Sequence, residues 1–515
     1  AILRMNMEER TRLYIERHIL RLVGGLPGLE HHERPEYANE VELLRGAQGT
    51  LAQPAGPIVF LFQLAITGGA TLVLLARVHP LLLLLPLFGL PALVAGGVSA
   101  RISRKASENT IERVRLTAVL FWTATNAVPG KEMRIFGLGR ELTRRIMRSQ
   151  REVQHERTIA SAKGTALGIA GSLVFAAGYI GAVAFIAQRA THGKATLGDV
   201  LLTLTLAGTI NGLVADASTM LQWLGNVMKI ASRYIWLIDY AADAAVPIAD
   251  PVPAPTSLTQ GVKFKSVRFR YPGTDIDVLD GVNLTIRPGS TVAIVGDNGA
   301  GKTTLVKLLC RFYEPSAGTI TVDGIELQRI PIVEWRSQIA SGFQDFSKFE
   351  FIAGETIGVG DLTSINDSEH VLAALDRSHG RDVIDSLPDG LATQLGKQFD
   401  DGHELSGGQW QKLALGRAMM RDNPLVLLLD EPTASLDAQT EHALFERYAA
   451  GATRAANKTG AITILVSHRF STVRMADLIL VVEDGRISEA GTHDELIATG
   501  GTYHELYNIQ ASAYR

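Results

Sequence analysis

Residues 292–303 read Val292-Ala293-Ile294-Val295-Gly296-Asp297-Asn298-Gly299-Ala300-Gly301-Lys302-Thr303, and their order decides the fold of half the chain. An apolar run is followed by a glycine-punctuated turn, and Thr304 to Leu309 then continue with a helical pattern. This is the strand-loop-helix setting of a phosphate cradle. Its glycines leave backbone N–H groups free to surround phosphate oxygens, and the helix N-terminus adds the positive end of a dipole. Lys302 is placed on the β- and γ-phosphates, and the hydroxyl of Thr303 on Mg2+. A glycine-rich turn alone is often only a tight connection; Lys-Thr at this spacing and in this setting points to bound nucleotide.

Working outward, Leu425 to Leu429 is a continuous apolar run, of the kind expected for a strand buried on both faces in a parallel sheet. It ends in Asp430-Glu431. Ligands of open α/β sheets sit at the carboxyl ends of strands, so Asp430 falls where the metal would be. Glu431 is then the natural base for polarising water. A carboxylate pair at a strand end otherwise reads as a solvated turn, and the upstream cradle is what tips the balance. His468, after the apolar run Ile462 to Val466, is placed to reach the γ-phosphate, although a lone histidine there is more often structural. Gln344 follows a similar strand end, and Tyr271 offers a ring for stacking on adenine; both also have plain readings as loop and surface residues.

The chain has 515 residues, a length that suggests two to three domains. Residues 58 to 220 are mostly apolar, whereas residues 261 to 515 have the mixed charge and Gly and Pro punctuation of a soluble α/β domain. An Ala- and Pro-rich tract at 241–260 reads as a semi-extended linker. The net charge of -3 exerts no general pull toward nucleic acid, and none is expected as a partner. The single cysteine, Cys310, cannot form an internal disulfide, which fits a reducing cytoplasm. Arg outnumbers Lys roughly three to one, a slight lean toward a GC-rich bacterial source.

Four segments, 58–78, 80–98, 166–187 and 199–220, are long and apolar enough to cross about 30 Å of hydrocarbon. They form two hairpins. Between Arg101 and Arg151 there are twelve Lys or Arg against four Glu, whereas the two short turns hold only Arg77, Arg189 and Lys194. The basic excess belongs on the cytoplasmic side, so the turns face outward and the α/β domain lies in the cytoplasm. The segment between the second and third spans is helix-periodic, with Ile111, Val114, Ala118 and Phe121 in register and a tip at Val128-Pro129-Gly130. It predicts a long helical lever. On the last span Thr205, Thr209, Gly212 and Asp216 share a face; helix packing explains this stripe better than a substrate path.

The stretch Leu405-Ser406-Gly407-Gly408-Gln409 completes the set, and with it residues 261 to 515 resemble the nucleotide-binding domain of ATP-binding cassette proteins. The resemblance implies the following. The cradle, Gly296 through Thr304, takes ATP, with Thr303, Gln344 and Asp430 around Mg2+. Tyr271 stacks on adenine, Gln344 is the lid-loop glutamine, Ser435-Leu436-Asp437 crosses between subunits, and His468 is the switch histidine. Ser406, Gly407, Gly408 and Gln409 of one domain close over ATP held by another, so Glu431, His468 and Gln344 act in a dimer, homomeric or heteromeric.

The apolar half resembles the exporter class, in which a transmembrane domain (here 1–240) precedes the cassette. Glu33-Arg34-Pro35-Glu36-Tyr37 and Lys131-Glu132-Met133-Arg134-Ile135-Phe136-Gly137 look like its two coupling segments. That class has six spans per half, against four here, so two further spans are expected ahead of Ala1. The expected function is ATP-driven export of an unidentified substrate across a plasma (inner) membrane by one half of a dimer embedded in the lipid bilayer. The alternatives are a non-transport cassette ATPase, disfavoured by the apolar hairpins, and an ATP-gated regulatory membrane subunit.

Overall fold

A computed structural model describes residues 2–51, 55–244, 248, 250–431, 458–467 and 469–513. It resolves into two compact units, one formed by Ala1–Gly24 and Glu40–Asp239, the other by Gly25–Asn39 and Tyr240–Arg515.

The first unit is helical. Four of its helices are apolar and long enough to cross a membrane, Pro57–Val78, Pro80–Asn109, Gly139–Thr191 and Leu197–Ala244, and each expected span lies within one of them. The last two run 53 and 48 residues. At the ordinary helical rise these are about 80 Å and about 70 Å long, so each extends well beyond the hydrocarbon. The second of these is not regular α-helix throughout. Pro80–Gly89 winds as a 3-10 helix before Leu90–Asn109 continues as α-helix, because Pro86 has no N–H to give an α-helical ladder.

Glycine sets the closest helix approach. Gly164, Gly171 and Gly178, seven residues apart on Gly139–Thr191, meet Ser99, Ala92 and Phe88; a Cβ at Gly171 would lie 2.6 Å from the Ala92 Cα. Small residues at such an interface let two backbones approach where lipid supplies no hydrophobic drive. A small core of Leu75, Leu82, Leu85, Phe175, Ile186, Ala207 and Ile210 lies at one end, while Leu173 and Ile180 are each 65% exposed on the outer face. The lever takes the expected form. Ile111–Thr125 runs to a turn closed by the Asn126 side chain, which accepts from the Val128 N–H, and the short helix Gly130–Ile135 forms the tip. Arg113 ties the two arms together through Glu152 and Glu156 at 3.1 and 3.2 Å.

The second unit is α/β. Ten strands are described: β1 Val262–Arg270, β2 Asp277–Ile286, β3 Thr291–Val295, β4 Ala317–Val322, β5 Ile325–Glu326, β6 Ile339–Gly342, β7 Val426–Asp430, β8 Ile462–Val466, β9 Leu478–Glu483 and β10 Arg486–Gly491. Six of them order as β10-β9-β3-β8-β7-β6, and β9, β3, β8, β7 and β6 pair in parallel. The apolar runs that mark β3, β7 and β8 in the sequence are buried, as parallel strands require. A four-stranded antiparallel sheet, β2-β1-β4-β5, shares the same core around Trp335, whose indole N–H donates to the Leu309 carbonyl at 2.7 Å. A separate helical layer around Trp410, Leu413 and Leu375 carries the helix Gly407–Ala418.

Candidate nucleotide site

β3 and β7 are separated only by β8, so their carboxyl ends, which lead to Gly296 and Asp430, open on the same edge of the sheet. The cradle between β3 and the helix Lys302–Leu309 depends on glycine at two points, where the backbone is left-handed and a neighbour stands close. Gly296 has φ 140°, and a Cβ there would lie 2.2 Å from the Val482 carbonyl oxygen. Gly301 has φ 108°, and its Cβ would meet Leu279 at 2.8 Å. Any other residue would force the loop away from the sheet. Asp297 and Ala300 close the turn, the Ala300 N–H donating to the Asp297 carbonyl at 3.2 Å; Asn298 and Gly299 (φ 87°) lie between them.

Lys302 folds its ammonium back onto the loop, donating to the carbonyls of Gly296 at 2.7 Å and Asp297 at 2.8 Å. Burial lowers its pKa, while Glu431, Asp297 and Asp430 pull the other way. Asp430 is only 4% exposed. Its carboxyl is pushed up to about 6, first by burial and then by the neighbouring charges of Glu431 and Asp345; a hydrogen bond from Thr303 and the charge of Lys302 oppose the rise. Desolvation and like charge both disfavour the ionised form, which is why they act together here. Glu431 holds φ 46°, and its N–H donates to the Val466 carbonyl at 2.9 Å. That left-handed conformation is rare for a non-glycine residue. Gln344, two residues past β6, donates its side-chain amide to the Glu431 carboxylate at 2.8 Å. Lys302, Thr303, Asp430, Glu431 and Gln344 thus converge at one strand edge.

The donors fit a Mg2+ ion: a threonine hydroxyl hydrogen-bonded to a buried carboxyl, with an amide oxygen on the neighbouring loop, all hard oxygen ligands. Among the described residues no group of three or more His, Cys, Asp or Glu forms a cage. Mg2+ at this place would take its remaining ligands from phosphate and water.

Tyr271 stands beside the cradle. Its hydroxyl pairs with the Thr304 hydroxyl at 3.1 Å, its ring meets Tyr313 edge-on at 5.3 Å, and the Lys307 ammonium lies 5.3 Å from the ring centre. Thr304 is therefore buried behind the cradle and turned toward the tyrosine. Ser406, Gly407, Gly408 and Gln409 belong to the other layer. Ser406 caps the helix Gly407–Ala418 through a reciprocal capping box. The Gln409 N–H reaches the Ser406 hydroxyl at 3.3 Å, and the Ser406 N–H reaches the Gln409 side chain at 2.8 Å. Asp437 and His468 lie outside the described residues.

Several contacts were not among those expected from the sequence. Arg417, on the helix Gly407–Ala418 that begins in the Leu405–Gln409 signature, donates to the carbonyls of Thr356 at 3.1 Å and Ser347 at 3.2 Å and stacks on Phe349, which fastens the loop after Gln344. The segment Gly25–Asn39, which includes the Glu33–Tyr37 stretch read only as a resemblance to a coupling segment, packs within the α/β unit. The Tyr313 hydroxyl donates to Glu33, the Leu29 N–H to the Phe312 carbonyl at 3.1 Å, and Arg336 to the Pro27 carbonyl at 2.6 Å. A cation among apolar helix positions, as at Arg417, is the cue that could have flagged such a clamp.

Comparison with known proteins agrees with this geometry. Residues 279–434 match the family model described as ABC transporter. An ATP-dependent lipid A-core flippase of Chromobacterium violaceum is 34% identical over 419 residues, 81% of this chain and 68% of the relative. A second, from Pseudomonas fluorescens, is 35% identical over 61% of this chain and 50% of its own length. The structure of a bacterial Atm1-family ABC exporter with ATP bound superposes with a TM-score of 0.76 at 24% identity, covering 99% of this chain and 86% of the other, a likeness of fold. With a cassette ATPase built on the cradle, strand-end carboxylates and signature helix, and apolar helices ahead of it in one polypeptide, the chain belongs to the ABC transporter family.

Proposed function

We propose that the chain is one half of a dimeric exporter that uses ATP hydrolysis to move an amphipathic lipid across the inner membrane. The observation that carries this is the convergence of Lys302, Thr303, Asp430, Glu431 and Gln344 in a chain whose residues 25–39 pack on the same ATPase unit. The relatives named lipid A-core flippase support a glycolipid as the substrate class.

In this reading Lys302 turns from the Gly296 and Asp297 carbonyls to the β- and γ-phosphates, and Tyr271 packs on adenine. Thr303, Asp430 and Gln344 would hold Mg2+, which would supply positive charge against the phosphates and against the ionised Asp430. Glu431 orients a water against the γ-phosphorus and accepts its proton as the bond to the β–γ bridging oxygen breaks. The Gln344 amide, already on the Glu431 carboxylate, ties that base to the loop fastened by Arg417. Residues 25–39 and the lever tip 130–137 act as coupling segments between cassette closure and the spans, and Ser406 and Gly408 serve the partner's ATP. The test is reconstitution in vesicles: ATPase stimulated by a lipid A-core glycolipid, with ATP-dependent movement of that lipid between leaflets, is expected. Hydrolysis indifferent to the lipid, with no movement, would refute the proposal.

A further inference from the structure

A cavity of about 500 Å3 lies within the α/β unit between residues 25–31 and residues 311–314. That volume is in the range of sites for small organic ligands. One part of its wall is apolar and aromatic, formed by Leu26, Pro27, Tyr240 and Phe312. Another carries carboxylates, Glu30 and Glu314, each with a side chain 44% exposed. Glu30 has a long ion pair to Arg34 at 3.7 Å, and Glu314 pairs with Arg311 at 3.0 Å. A carboxylate offers about four acceptor sites, so both retain capacity.

The cation on this wall is already occupied. Arg311 donates to the Leu327 and Ile330 carbonyls as well as to Glu314, leaving little for an incoming anion. His31 also lines the cavity; it is 5% exposed, and its Nε2 has no hydrogen-bond partner. Burial and the adjacent His32 hold its pKa down at about 4, so at neutral pH it adds no positive charge. The lining is apolar on one side and carries two carboxylates against one guanidinium on the other; Arg34, paired with Glu30, and Arg336, 5.0 Å from the Phe312 ring centre, are not among the lining residues.

We propose that this cavity binds an amphipathic organic amine, with its aromatic or alkyl body against Leu26, Pro27, Tyr240 and Phe312 and its ammonium toward Glu30 and Glu314. An ammonium near aromatic faces and carboxylates gains both ion pairing and cation–π attraction. The bound amine sits beside the bonds from Leu29 to Phe312 and from Arg336 to Pro27, so it alters how residues 25–39 are held. Any effect on ATPase rests on the proposed coupling role of that segment; binding does not.

The test uses the full chain in lipid nanodiscs, titrated with tryptamine, the neutral tryptophol and the anionic indole-3-propionate. Binding is read by saturation-transfer NMR and hydrolysis by phosphate release. Tryptamine should bind, tryptophol should bind about tenfold more weakly, and the anion should not bind. The double variant E30Q/E314Q should weaken tryptamine about tenfold, and L26W, which fills the cavity, should abolish its binding. No tryptamine binding, equal binding of the three indoles, or binding unchanged in E30Q/E314Q would overturn the proposal, and that double variant carries the test if L26W does not fold. Tryptamine that binds as described without changing hydrolysis supports the site and counts against the coupling role of residues 25–39.

Discussion

Asp430 and Glu431 are adjacent carboxylates with different environments. Asp430 is buried and its pKa is raised to about 6, above its ordinary value of 3.8. A raised carboxyl pKa means that the folded state favours the protonated form. The resulting stabilisation is complete below about pH 4 and is lost as pH rises through 6, so at pH 8 the charge costs the nucleotide-free domain about 1–3 kcal/mol. The variant D430N should therefore unfold at a higher temperature than wild type at pH 8 without nucleotide, with the gap closing at pH 4. Midpoints that stay parallel across that range would contradict the assigned burial cost. Mg2+ with ATP should raise the wild-type midpoint more than that of D430N, because the variant keeps the cradle but loses the charged ligand of the ion. Glu431 has another role, since Gln344 donates to its carboxylate at 2.8 Å and its backbone is left-handed. E431Q should keep nucleotide affinity within a fewfold while hydrolysis falls by roughly two orders of magnitude or more. Hydrolysis at the wild-type rate in a phosphate-release assay would remove Glu431 as the base.

The strand-loop-helix around Lys302 was legible because hydrophobic periodicity changes sharply at Gly296, and the Asp430-Glu431 pair because a fully apolar run ends there. The four helices long and apolar enough to cross a membrane were legible from length and composition alone. What periodicity could not show was contact between distant residues: Gln344 bonds Glu431 across 87 positions, and Arg417 reaches back to Ser347. The glycines of Gly139–Thr191 were opaque for the same reason, because an apolar span hides which of its small residues faces a neighbour. Gly171 has the Ala92 backbone 2.6 Å from an added Cβ, whereas Gly168, three residues earlier, has nothing within 4 Å. Gly171→Leu should accordingly cost at least about 1–3 kcal/mol of overpacking or separate the two helices, while Gly168→Leu should be close to neutral. Thermal unfolding in detergent micelles tests the pair. Equal effects at the two positions would show that the helices do not meet along the Gly164, Gly171 and Gly178 face.

Ser406 caps a helix in a layer separate from the sheet edge that carries Lys302, so one chain holds the two halves of the proposed nucleotide site on different parts of its cassette. Two chains placed head to tail would bring each half against its counterpart. The two lesions S406R and K302A then have a distinctive arithmetic. Either variant alone puts one lesion into both composite sites of its homodimer. In a mixed dimer, the Ser406 lesion of one chain faces the Lys302 lesion of the other, and the second site receives an intact cradle and an intact signature. Co-expressed variants carrying different affinity tags, purified through both tags in sequence, should therefore recover a measurable fraction of wild-type ATPase, up to about half if the sites fire independently. A doubly purified dimer as inactive as either parent would place the signature and the cradle of one site on the same chain, or make both sites obligatory for any turnover. Introducing K302A and S406R together on one chain, paired with a wild-type chain, separates these outcomes. That dimer has one lesion in each composite site and should be inactive under the shared-site arrangement, whereas a site confined to one chain would leave the wild-type half working.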